Sequence, residues 1–102
     1  MPVRIVGFHP LAAREYRAAF RWYARRSPAA AQRFRQAVDQ VVQRIATAAE
    51  QGAPYQQSYR WMRLNRFPYL LYYEIRDEQS VLVYAVAHAR RRPGYWRRRT
   101  TP

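Results

Sequence analysis

Cysteine is absent from this 102-residue sequence, and so is lysine. The first absence excludes disulfides and thiolate metal sites; with only two histidines the chain also lacks the ligands for a histidine-built centre, so neither a metal nor another cofactor is expected. The fold must stand on packing. Acidic residues are scarce, six against nineteen basic ones, all arginine, for a formal net charge of +13. Repulsion at that charge works against a compact state and favours contact with polyanions, so an acidic partner is expected. The all-arginine choice fits either codon bias in a GC-rich genome or selection for bidentate guanidinium contacts. No apolar run approaches the ~18 residues of a membrane span. Low-complexity repeats are missing, and Pro2 to Gly7 has no signal-peptide pattern, so a soluble, cytoplasmic chain without membrane contact is expected. The length suits one domain, residues 1–102, with a basic tail over 89–102.

What is present is organised by period. Val3 to Phe8 is a short β-prone run, and His9-Pro10 opens a helix, since proline suits a first helical turn. Ala12, Tyr16, Phe20 and Tyr23 then fall at helical spacing and form one face of a helix to about Arg26, with Arg14, Arg17, Arg21 and Arg25 largely off that stripe. Ser27-Pro28 ends this helix and caps the next, which carries Phe34, Val38, Val41, Ile45 and Ala48 on one face to about Ala49. So tight a junction predicts an antiparallel helical hairpin. Gln51 to Pro54 breaks the period, and strands are predicted near Tyr59 to Leu64, Tyr69 to Arg76 and Ser80 to His88, with Asp77-Glu78-Gln79 as a hairpin turn. Tyr69, Leu71, Tyr73 and Ile75 share a face of the middle strand; Leu82, Tyr84, Val86 and His88 share one in the last, although Val81 and Val83 make its other face apolar too. The order β-α-α-β-β-β predicts an α+β fold: an antiparallel sheet with the helical hairpin packed on one face, leaving the other face for function.

The last fifteen residues, from His88 to Pro102, hold six arginines and no acid, beside Tyr95 and Trp96. Arginine forks match phosphate and carboxylate oxygens, and aromatic rings stack on bases or fill pockets, so this segment is suited to a large anionic partner. Alternatively, Tyr95 and Trp96 anchor the tail back on the core. Arg60, at the start of an otherwise apolar sheet face, needs an anion or a carbonyl; Glu74 and an external phosphate are the two candidates.

His9-Pro10, the Ser27-Pro28 junction, Phe34, Arg60, Phe67-Pro68-Tyr69, Tyr73 and His88-x-x-Arg91-x-Pro93-x-Tyr95-Trp96, in that order on a chain of this length, resemble the RelE/ParE superfamily of bacterial type II toxins, from about His9 to Arg99. The resemblance implies a small growth inhibitor neutralised by a cognate antitoxin. It also implies two targets for one fold, because RelE-like members cut messenger RNA on the ribosome whereas ParE-like members poison DNA gyrase without established chemistry of their own.

RNA cleavage needs a base for the 2′-hydroxyl, a cation for the phosphorane and an acid for the leaving oxygen; His88, Arg60, Arg63 and Tyr95 are the catalytic candidates under that reading. The alternative for His88 is a strand-end histidine hydrogen-bonded to backbone. Missing lysine, the lack of a glutamate on the second-strand region and a tail running past His88 favour the gyrase reading. There the candidate target or nucleic-acid contacts are Arg91, Arg92, Arg97, Arg98 and Arg99 of the tail with Arg14, Arg17 and Arg21 of the first helix. An acidic, partly disordered antitoxin segment would cover the groove between hairpin and sheet and touch Tyr95, Trp96 and Arg91. A third reading, a non-toxic nucleic-acid-binding module, would use Tyr69, Tyr72, Tyr73 and Tyr84 as a base-stacking platform.

Overall fold

The first helix starts where proline and a cap coincide. Pro10 occupies its first turn and the His9 imidazole Nδ1 accepts from the Leu11 amide at 3.1 Å. In the computed structural model, which describes residues 3–99, the element order is β1 (Ile5–Phe8), α1 (Pro10–Arg26), α2 (Pro28–Ala48), a 3₁₀ turn (Ala49–Gln51), β2 (Ala53–Tyr55), β3 (Tyr59–Arg63), β4 (Tyr69–Ile75) and β5 (Ser80–His88). Ser27 serves both helices: its amide donates to the Tyr23 carbonyl at 2.9 Å, ending α1, while its Oγ accepts from the Ala30 amide at 3.2 Å, capping α2. One extended residue therefore makes the whole hairpin loop.

The apolar stripes meet around Phe34, which is fully buried. Its ring stacks on Tyr16 and Tyr23, with centroids 5.8 and 5.1 Å away, and takes Phe67 and Tyr69 edge-on, each at 5.4 Å. Offset and edge-to-face pairs of this kind add about 0.5–1.5 kcal/mol each beyond area burial. Val38, Val41 and Ile45 continue the seam onto Leu71, Tyr73, Val81 and Val83 of the sheet. Below them Gly52 is packed so closely on Tyr73 that any Cβ there would collide with the phenol, whose hydroxyl donates to the Ala49 carbonyl at 2.5 Å.

The α+β layout with a hairpin on one face is as predicted, but the sheet departs from it in three ways. Its strand order is β1-β5-β4-β3-β2, and β1 pairs with β5 in parallel, so the sheet is mixed rather than wholly antiparallel. Alternation in a sequence reports which residues share a face and is blind to partner direction. The stretch expected only to break the helical period supplies a fifth strand, β2, pairing Ala53 to Tyr55 with Trp61 to Tyr59. Pro54 is tolerated there because β2 lies at the edge of the sheet, where a missing N–H leaves no ladder bond unmade. Finally, β5 carries a bulge: Val83 faces Tyr73 and Ala85 faces Tyr72, which leaves Tyr84 as the extra residue.

That bulge changes the phase of β5. Val81, Val83 and Val86 pack toward the helices, whereas Leu82, Tyr84, Ala85 and Ala87 face the other side. The expectation that Leu82, Tyr84, Val86 and His88 share one face is thus corrected, since one inserted residue reverses every side chain after it. The second face is not left open either. The tail turns at Gly94, whose φ of +81° only glycine adopts without strain, and lays Trp96 across it. Trp96 is 1% exposed, ringed by Tyr55, Tyr59, Tyr72 and Tyr84 with centroids between 4.8 and 5.9 Å.

Candidate functional site

Glu15, a residue sequence reasoning passes over, organises the region between helix, bulge and tail. From α1 its Oε1 accepts the amide of Val86 at 3.0 Å, just past the bulge, and Arg99 Nη1 at 2.9 Å. Its Oε2 accepts the Tyr95 hydroxyl at 2.6 Å and Arg99 Nη2 at 2.8 Å, with Arg91 Nη1 3.7 Å away. Arg99 also donates to the Tyr84 carbonyl at 2.7 Å. One carboxylate thus pins the tail to the first helix and satisfies an amide that the ladder leaves over. Burial first, and then the bond to Glu15, push the Tyr95 hydroxyl far above its ordinary value of 10.0, and the bond to Glu15 raises Arg99. The available signal is a lone acid in an otherwise basic helix.

Beside this clamp runs a groove of about 520 Å³ between α1, the loop before β4 and the end of β5, lined among others by Glu15, Trp22, Tyr23, Tyr69, His88 and Arg91. Burial raises the hydroxyls of both Tyr23 and Tyr69, so they stay protonated and neutral near pH 7. His88 stands edge-on to Tyr69 at 5.2 Å, and its Nδ1 accepts from the Arg90 amide at 3.1 Å. It is held by backbone, one of the two readings of a strand-end histidine. Arg91 lies over the Tyr95 ring, 3.8 Å from the centroid. Trp22, also missed from sequence, is 46% exposed on α1 with the Arg26 guanidinium 3.4 Å above its ring.

The remaining nuclease candidates lie elsewhere. Arg60 donates to the carbonyls of Glu50 at 3.1 Å and Gly52 at 2.9 Å, closing the 3₁₀ turn that follows α2, so its partners are carbonyls rather than Glu74 or a phosphate. Glu74 is engaged instead by Ser58 and Tyr84. Arg60 faces Tyr73 in the ladder while His88 faces Tyr69, four residues further along β4, which is about 13 Å at ~3.3 Å per residue. Arg63 is exposed and alternates with the buried Met62 and Leu64, so it sits on the tail side of the sheet, opposite Arg60. His88, Arg91 and, through Glu15, Tyr95 come together; Arg60 and Arg63 do not join them.

The tyrosine platform is closed to bases: Tyr72, Tyr73 and Tyr84 are 6%, 0% and 4% exposed. Trp96 offers an antitoxin no ring surface in this arrangement, and Arg99 is spent on Glu15. Arg92, Arg97 and Arg98 of the tail and Arg14, Arg17 and Arg21 of α1 are exposed. Among the described residues no group of three or more His, Cys, Asp or Glu side chains could hold a metal, and no helix is long and apolar enough to cross a membrane.

A family model described as the ParE toxin of the type II toxin-antitoxin system parDE matches residues 6–93. Among solved structures, the chromosomal ParDE TA system from P. aeruginosa is similar in fold, with a TM-score of 0.70 at 19% identity, covering 84% of this chain and 96% of that one. No curated protein sequence matches.

Proposed function

The chain belongs to the ParE toxin family of type II toxin-antitoxin systems, and on that premise we propose that it arrests growth by poisoning DNA gyrase in the bacterial cytoplasm, without chemistry of its own. A toxin of this type has a cognate antitoxin as its partner, and the charge of +13 favours an acidic one. The groove between α1 and the end of β5 suits an apolar turn of such a segment, with Arg91 at its rim to meet the acids that flank it.

The observation that carries the non-catalytic reading is the dispersal of the nuclease candidates. Cleavage requires base, cation and acid within hydrogen-bond reach of one phosphodiester. Arg60 holds the carbonyls of the 3₁₀ turn, Arg63 lies on the opposite face of the sheet, and the Tyr95 hydroxyl is raised by burial and by the carboxylate it donates to, the wrong direction for a general base. His88 with Arg91 in the groove is what the competing RNase reading would have to rely on.

The test is a cleavage assay with purified gyrase, ATP and plasmid. Adding the full chain should leave a growing fraction of plasmid linear after denaturation of the enzyme, and His88→Ala should act within about twofold of the parent. Unaffected supercoiling with no linear product, from a preparation that arrests growth when expressed, removes gyrase as the target.

A further inference from the structure

Helix α1 carries Arg14, Arg17, Arg21 and Arg25, each exposed, at spacings of three, four and four. At ~100° per residue these spacings hold all four within an arc of about 80°, and at ~1.5 Å per residue they run about 16 Å along the axis. A solvated helix face ordinarily mixes signs, and like charges at these spacings cost about 0.2–0.5 kcal/mol per pair. Here the acid of the helix is withdrawn: Glu15 points to the tail and is consumed by Arg99, Tyr95 and Val86. Among the described residues no ion pair or hydrogen bond engages the four arginines; the other acids that pair with arginine are Glu50, with Arg4, and Asp39, with Arg35. Arg14, Arg17 and Arg21 line one shallow depression with the paired Glu15 and Arg99, and Arg17 and Arg21 line the next beside Arg35, which is paired with Asp39, so the uncompensated charge belongs to α1 itself.

We propose that this stripe binds the sugar-phosphate backbone of double-helical DNA, without sequence preference. The partner follows from stiffness and spacing. The single-residue junction at Ser27 and the Phe34 cluster hold the α1 backbone in place, so the four arginines project from a straight, rigid row of positions rather than from a flexible tail. A duplex offers an equally rigid line of phosphates, about one charge per 1.7 Å of axis, and arginine forks take phosphate oxygens in pairs. An acidic peptide would lose chain entropy to follow that row, and its apolar side chains find their seat on the other flank of α1, in the groove with Trp22 and His88.

The experiment needs no gyrase, so its result is independent of the target reading. Anisotropy of a labelled 20-base-pair DNA duplex, titrated with the full chain across a salt series, gives the slope of log K against log salt. Arg14→Ala/Arg17→Ala/Arg21→Ala should flatten that slope by roughly 2 to 3, at about 0.9 for each phosphate no longer neutralised, and weaken binding at least about tenfold at 100 mM salt. Arg33→Ala/Arg44→Ala/Arg63→Ala removes the same charge from exposed positions elsewhere and should leave the slope within about one unit. Arg14→Lys/Arg17→Lys/Arg21→Lys retains charge and helix propensity and should keep most of the slope even if the alanine variant folds poorly. Equal losses from the two alanine sets, or tighter binding of an RNA duplex than of DNA, would overturn the proposal.

Discussion

Trp96→Ala should lower the stability of the domain by about 4 kcal/mol and its melting temperature by roughly 20 °C. The indole is the buried centre of the tail's cover on the second face of the sheet, and its loss opens a cavity against Tyr72, Tyr84, Ala85 and Ala87. Trp96→Phe separates packing from polarity. The indole Nε1 is buried with no hydrogen-bond partner among the described residues, so phenylalanine gives up no bond and should cost only about 1 to 2 kcal/mol for lost volume. Urea unfolding followed by far-UV circular dichroism measures both. A Trp96→Ala stability within about 1 kcal/mol of the parent would mean that the tail does not cover the sheet in solution.

The second large effect belongs to Glu15. Glu15→Gln keeps the shape of the side chain but leaves Arg99, whose side chain is 12% exposed, without its counter-charge and weakens the bond to Tyr95. Removing one partner of a largely buried pair costs about 3 kcal/mol, and the net worth of the pair is smaller. A double-mutant cycle with Arg99→Gln should therefore return a coupling of about 1 to 3 kcal/mol, the double variant being little worse than either single one. Additive losses would show that Glu15 acts through the Val86 amide or the Tyr95 hydroxyl and not through Arg99. The pH dependence has a definite sign. The folded state raises the Tyr95 hydroxyl, so its contribution is fully present below the ordinary phenol value of 10.0 and fades as the pH climbs above it. In Tyr95→Phe the alkaline decline should be shallower. Against a total stability of about 5–15 kcal/mol for a domain of this kind, the loss expected from Trp96→Ala or from Glu15→Gln is a quarter or more of the whole at mid-range.

The helices are legible in the sequence because their signals are local and repeated. The four-and-three spacing from Phe34 to Ile45 marks a buried stripe, and Ser27-Pro28 supplies a cap and a first turn within two residues. Asp77 likewise marks its hairpin, where its carboxylate accepts from the Gln79 amide and the Ser80 hydroxyl and is held below its ordinary range by those bonds. The phase of β5 is not legible. From Val81 to Ala87 the strand is apolar on both faces, so alternation carries no information about where a residue has been inserted. The bulge at Tyr84 shows only in the pairing with β4.

The candidate site divides along the same line. Trp96 as an anchor for the tail can be read from an aromatic beside a basic run, and His88 and Arg91 stand out by residue type, although only the fold shows the groove they share. Glu15 cannot be placed from sequence, because the arginine that it holds lies 84 residues away in the chain and nothing nearby specifies where the tail lands. Arg60 plainly needs a partner, but a carbonyl at a helix end leaves no mark on composition, and a carboxylate or phosphate is the more visible choice.

Gyrase poisoning without chemistry at His88 is tested most directly by inducing the chain in a bacterial host that lacks the antitoxin, then sampling chromosome breaks and messenger RNA ends soon after growth slows. Double-strand breaks with an SOS response, intact messages and the same arrest from His88→Ala are the predicted result. Fresh cuts inside translated messages that vanish with His88→Ala, on an unbroken chromosome, would contradict it and transfer the active chemistry to His88 and Arg91 in the groove.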